Sequence, residues 1–283
     1  LTMTGYATMR TGSNYLVEPG YSVKNLSFTM QDHSYLNADS LKVERSWGSI
    51  IETNSGAAGI TFTMEDDSRA DAPVFLTAFS DRSEYTTIMD FHMVMRDNAQ
   101  VNWGYHENAR SYVIQMRGES TASGEAQFQL ELYDQARLTG NIKLRGSAPE
   151  STARIVLGTQ GGSDTPVWTG YCEANSETVN SSSESNGWNT EIELSAGSQW
   201  LSPIREQEDA PVWTSDYLLY GWHTSLILHD NAQAIDRKKG EQISSSLNGA
   251  VYVTGRLSMD GSSLLRVESR YFALEDIGGQ LEI

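Results

Sequence analysis

Ile88-Met89-Asp90-Phe91-His92-Met93-Val94-Met95 alternates residue by residue. Met89, Phe91, Met93 and Met95 fall on one side of an extended chain, and Ile88, Asp90, His92 and Val94 on the other. Successive side chains of a strand point to opposite faces, so this stretch lays one face on a core and turns the other to water. The same period of two runs through Leu26-Phe28-Met30, Leu41-Val43-Arg45-Trp47, Ile60-Phe62-Met64, Phe128-Leu130-Leu132, Ile192-Leu194 and Leu218-Tyr220-Trp222-Thr224-Leu226-Leu228. Turn signals recur at short intervals, among them Asn54-Ser55-Gly56, Gly161-Gly162-Ser163-Asp164 and Asp260-Gly261. No long segment carries a capped helical stripe, and short helices are expected only near Ser68 to Ala72, Pro203 to Glu208 and Ala232 to Lys239. The fold class is all-β. One-sided alternation is the mark of antiparallel sheets, and many short strands predict β-sandwiches of jelly-roll type.

Two short matches divide the chain. Asp71-Ala72-Pro73-Val74-Phe75 is echoed 138 residues on by Asp209-Ala210-Pro211-Val212-Trp213, and Asp97-Asn98-Ala99-Gln100 is echoed 133 residues on by Asp230-Asn231-Ala232-Gln233. Trp47 and Trp188 stand ahead of the two copies, 141 residues apart. The spacing predicts a duplication: two tandem antiparallel sandwiches, residues 1–146 and 147–283, joined near Arg145-Gly146-Ser147-Ala148-Pro149.

Charge narrows the partners. The formal net charge is -17, and the densest basic cluster is Arg237-Lys238-Lys239. Phosphate backbones and anionic lipid need Lys and Arg gathered on one face, so neither direct nucleic-acid binding nor lipid docking is expected. No apolar run approaches the length of a membrane span. The chain opens at Leu1 rather than Met, which reads as a processed or trimmed start. Cys172 is the only cysteine, excluding an intrachain disulfide, and no basic neighbour in sequence would activate it.

Motifs for common chemistries are missing. His33, His92, His106, His223 and His229 show no zinc spacing, no Gly-x-Ser-x-Gly elbow is present, and Gly158 to Gly162 lacks the Lys-Ser/Thr of a phosphate loop. Three weaker features remain. The acidic residues Glu65, Asp66, Asp67 and Asp71, and again Glu206, Glu208 and Asp209, offer the oxygen ligands that calcium takes. Glu191 and Glu193 share one strand face, where two carboxylates could serve glycoside chemistry. Trp103, Trp168 and Trp222 each lie beside or near a glycine, a setting suited to stacking on sugar rings. Asn25-Leu26-Ser27 and Asn180-Ser181-Ser182 match the glycosylation sequon.

The expectation from sequence is a non-enzymatic structural or interaction subunit of a surface assembly, a virus particle or an extracellular filament, packing with copies of itself or with other structural subunits. The alternative is an extracellular carbohydrate-binding sandwich that takes a polysaccharide, with lyase or glycosidase activity. Either places the chain outside the cell, on its surface or on a virion.

Overall fold

The computed structural model describes residues 1–10, 15–17, 25–37, 49–53, 59–77, 90–103, 112–118, 126–146, 151–160, 164–175, 188–202, 219–221, 224–235, 256–266 and 280–282. Its strands fall into successive coils. The first three coils are β1 (Thr2–Met3), β2 (Thr8–Arg10), β3 (Tyr15–Val17); β4 (Leu26–Met30), β5 (Tyr35–Asn37), β6 (Ser49–Thr53); and β7 (Gly59–Met64), β8 (Arg69–Asp71), β9 (Phe75–Thr77). The next three are β10 (Asp90–Met95), β11 (Gln100–Asn102), β12 (Tyr112–Gly118); β13 (Gln127–Tyr133), β14 (Arg137–Thr139), β15 (Asn141–Gly146); and β16 (Thr152–Gly158), β17 (Val167–Thr169), β18 (Cys172–Asn175). The remainder are β19 (Asn189–Leu194), β20 (Gln199–Leu201), β21 (Leu219–Gly221); β22 (Thr224–Leu228), β23 (Gln233–Ile235); β24 (Leu257–Met259), β25 (Leu264–Arg266); and β26 (Gln280–Glu282).

Strands that open the coils stack into sheet A, nine-stranded, from β1 and β4 through to β24. Second strands stack into ten-stranded sheet B, and third strands into seven-stranded sheet C. Every pairing among the described residues is parallel, for example β10 with β7 and β13, β11 with β14, and β12 with β15. The result is a three-faced parallel solenoid, which corrects the expected antiparallel jelly-roll sandwiches. The reason is physical. Alternation reports that one face is wet, and a parallel sheet normally has helices over both faces. Here, among the described residues, the chain returns through two further sheets instead of helices, and the outward residues of sheets A and B stay largely exposed or half-buried. No helix among the described residues is long and apolar enough to cross a membrane.

Two of the expected short helices are strands: Arg69–Asp71 is β8 and Gln233–Ile235 is β23. The third, Pro203 to Glu208, lies outside the described residues. Sheets A, B and C all continue past Gly146, through β13–β16, β14–β17 and β15–β18. The recurrence of Asp-Asn-Ala-Gln marks the same corner four coils apart, after β10 and after β22.

Inward positions form unbroken files. In sheet A, Met3, Met30, Met64, Met95, Leu132, Leu157, Leu194, Leu228 and Met259 pair in sequence, none more than 5% exposed. Aromatic rings stack coil upon coil: Phe28 on Phe62 at 4.8 Å, Phe91 on Phe128 at 5.7 Å, and Trp168 on Trp200 at 4.6 Å. These separations follow from the inter-strand repeat of about 4.8 Å. Sheet B contributes one inward residue per three-residue strand, running Leu36, Ala70, Val101, Leu138, Trp168, Trp200, Ala234, Leu265.

The corner from sheet A to sheet B is the true repeat. Asp32, Asp66, Asp97 and Asp134 follow one another at 34, 31 and 37 residues, and all hold φ near +57°. Asp230 repeats the conformation with φ 55°. Two residues on, a small buried side chain turns inward: Ser34, Ser68, Ala99, Ala136, Ser198 and Ala232. Asp tolerates the left-handed region better than most residues, and here its carboxylate also accepts a hydrogen bond from the neighbouring coil. Asp66 Oδ2 takes the Asp32 N–H at 3.0 Å, and Asp97 Oδ2 takes that of Asp66 at 3.3 Å.

Ala196 holds φ 52° at the same corner with no side-chain acceptor. Replacing it by Asn is expected to raise stability by about 0.5–1 kcal/mol, because Asn enters this region at lower strain. A urea midpoint unchanged or lowered in Ala196→Asn would contradict the corner's role.

The corner from sheet B to sheet C is tighter. Trp168 Nε1 donates to the Gly140 carbonyl at 3.0 Å, and Trp200 Nε1 to that of Gly170 at 2.9 Å. Each indole thus reaches one coil back, satisfying both its own N–H and a buried carbonyl.

Candidate functional site on the outer face of sheet A

Outward residues of sheet A form parallel files through the strand register. One runs Ser27, Thr61, His92, Gln129, Arg154, Glu191, Ser225, and the next Thr29, Thr63, Val94, Glu131, Val156, Glu193, Ile227. Alternation turns these side chains outward, and stacking sets each about 4.8 Å from its neighbour in the file. The middle coils gather the chemistry. Glu131 accepts from Tyr133 Oη at 2.7 Å, pairs with His92 Nε2 at 3.1 Å, and is contacted by the Gln129 amide. Arg154 reaches Glu193 at 2.8 Å and Glu191 at 3.4 Å. His229, at the corner after β22, meets Glu193 at 3.2 Å and Asp230 at 2.8 Å.

Glu191 and Glu193 therefore do share one face, and Arg154 from the preceding coil compensates both. The phenol of Tyr133 is pushed up to about 12, first by burial and then by its hydrogen bond to Glu131. The surface is an ion-paired, half-exposed belt that can exchange hydrogen bonds with a polar partner through Tyr, Arg, His and carboxylate groups at once.

Other sequence candidates lie elsewhere. Trp168 is fully buried in the solenoid, stacked on Trp200, and Trp103 is 8% exposed. The structure thus places both indoles in the core, away from any surface a sugar ring could reach. Trp222 lies outside the described residues, as do Glu206, Glu208 and Asp209.

The first acidic group is spread over several jobs. Glu65 accepts from Gln31 at 2.7 Å and pairs with Arg96 at 3.3 Å. Asp66 caps the neighbouring corner, and Asp67 meets His33 at 3.3 Å and the Asn98 amide at 2.9 Å. Asp71 sits on sheet B with Tyr35, Arg69 and Asn102. Burial opposes its charge, yet those hydrogen bonds outweigh burial and hold its carboxyl below the ordinary range. That contribution to stability is present above the unfolded value near 3.8 and is lost as pH falls through the folded one. Among the described residues, no three His, Cys, Asp or Glu side chains converge as a metal site.

Sequence reasoning missed a polar group on sheet C. Lys143 is paired with Glu173 at 2.6 Å and donates to Tyr112 Oη at 3.1 Å, with its own side chain 6% exposed. Its partners stand 30 and 31 residues away, one coil in each direction, a relation visible only once the coil length is known. Cys172 is fully buried, and burial first, then Glu173, pushes its thiol far up, which disfavours the thiolate form.

Comparison with protein families, curated proteins and solved structures gives no match.

Proposed function

We propose that the chain is a non-enzymatic structural subunit of a surface assembly, a virus particle or an extracellular filament, in which it serves as a rigid spacer and interaction face. The observation that carries this is the continuity of stacking. Each inner coil hydrogen-bonds to both neighbours through parallel sheets, and the inward Met/Leu file of sheet A runs from β1 to β24 without a polar break. Nine strands at about 4.8 Å give an axis of roughly 40 Å. Stacked repeats of this kind resist bending and present extended faces suited to lateral packing. The acidic surface, at -17, favours solubility of the free subunit.

The belt of Glu131, Tyr133, Arg154, Glu191, Glu193 and His229 favours a second reading, a polysaccharide-binding face with hydrolase or lyase activity at its paired carboxylates. Solution mass by light scattering, with calcium and then with a chelator, followed by electron microscopy, separates the two. Ordered shells or filaments support the structural subunit. A stable monomer in both conditions that binds a polysaccharide, and loses that binding in Arg154→Ala, would overturn it in favour of the second.

A further inference from the structure

His229 has a carboxylate on each side of its ring. Nδ1 lies 2.8 Å from Asp230 Oδ2 and Nε2 lies 3.2 Å from Glu193 Oε1. A neutral imidazole carries one N–H and one lone pair, whereas the imidazolium donates from both nitrogens. Ionised carboxylates only accept. Either neutral tautomer therefore sets a ring lone pair against a carboxylate oxygen, and the arrangement is complete only with the second proton aboard.

We infer that His229 is a proton-operated clasp between adjacent coils, closed onto Glu193 of β19 when charged and released from one carboxylate when neutral. The charges around it come from every coil packed there. Asp230 follows it in its own corner. Glu193 and Glu191 stand on the coil before, both held by Arg154 of β16. Asp260 stands on the coil after, accepting the Asp230 N–H at 2.6 Å. The negative groups outnumber Arg154, so the local field favours the imidazolium. Burial opposes the charge on His229, and the hydrogen bonds to Asp230 and Glu193 prevail, raising it above 6.5. A raised value in the folded state gives stability that is fully present below 6.5 and fades as pH rises through the folded value. In the tautomer that releases Glu193, that carboxylate keeps its 2.8 Å contact to Arg154, and the outer face of sheet A loses one positive charge without gross rearrangement.

Nitrogen-15 correlation spectra of the imidazoles, taken from about pH 5 to 9, read this directly. The expected His229 midpoint lies above that of an exposed histidine and drops in both Glu193→Gln and Asp230→Asn. A midpoint at or below the ordinary value, or one that neither variant moves, overturns the clasp. Amide exchange in β22, corrected for intrinsic rates, gives the mechanical readout. Exchange should be about threefold slower at acid than at alkaline pH, the size of one partly exposed ion pair, and the difference should vanish in His229→Gln. Equal protection at both pH values in the parent chain overturns the coupling to coil packing. Should His229→Gln not fold, the two carboxylate variants give the same comparison.

Discussion

Gly170→Ala leaves no cooperative folding transition at temperatures where the parent chain is native. A Cβ at this position would lie 2.0 Å from the Gly140 carbonyl oxygen, 2.7 Å from its carbon and 2.8 Å from Trp168 Nε1. All three atoms belong to one locked corner. The Gly140 N–H donates to Thr169 and its carbonyl accepts from Trp168, so retreat of the backbone breaks the contacts that define the coil step. The loss should exceed about 4 kcal/mol, the range reserved for named structural faults. Gly5→Ala is the control. Gly5 has φ +66° and nothing within 4 Å of the added carbon, so only backbone strain applies, of order 1 kcal/mol. Circular dichroism during urea unfolding compares the two. Similar midpoints would show that the corner can relax and that the contact at Gly170 is not a constraint.

Lys143→Ala is the second large effect, about 3 kcal/mol lost. Its strand neighbours Ile142 and Leu144 are fully buried core residues, so pleating turns Lys143 outward on sheet C, where it is nonetheless buried. Removing the ammonium takes the 2.6 Å ion-pair contact from a Glu173 side chain that is 19% exposed; breaking a fully buried pair typically costs about 3–5 kcal/mol, and the partial exposure of Glu173 places this one at the low end. Lys143→Met combined with Glu173→Gln removes both charges and should recover more than half of the loss. Arg154→Ala, on an ion pair whose arginine is half exposed, should stay under about 1 kcal/mol. If the double variant is no better than Lys143→Ala in chemical denaturation, the loss comes from packing along the lysine stem rather than from the stranded charge.

Strand faces were legible in the sequence because burial alone dictates them. Phe91, Met93 and Met95 point inward as their alternation requires, as do Phe128, Leu130 and Leu132, and Ile192 and Leu194. Strand direction was not legible, since a parallel sheet wetted on one side gives the same alternation as an antiparallel one. The period hid for a related reason. What recurs at the sheet A to sheet B corner is a backbone conformation and a small inward side chain, while the residues themselves vary, with Ala196 replacing Asp and the step changing between 31 and 37 residues. Asp97 and Asp230 matched in letters and so stood out, at four coils instead of one. Trp168 suits either a sugar-stacking surface or a core from sequence alone; the structure puts it in the core, donating to the Gly140 carbonyl one coil back, while its neighbour Gly170 accepts from Trp200. On the outer face, Glu191 and Glu193 could be paired from spacing within one strand. Arg154 and His229 could not, because their contacts to Glu193 cross from one coil to the next.

Four contacts at the Asp corners share a direction, while Asp134 runs against it by taking the Gln160 N–H of the following coil at 3.2 Å. The Gly5 N–H is taken by Asp32, that of Asp32 by Asp66, that of Asp66 by Asp97, and that of Asp230 by Asp260. In each of these pairs the acceptor belongs to the later coil. Each of these four N–H groups therefore depends on the coil that follows it, so a chain cut after any one of these corners keeps the donor and loses its carboxylate acceptor.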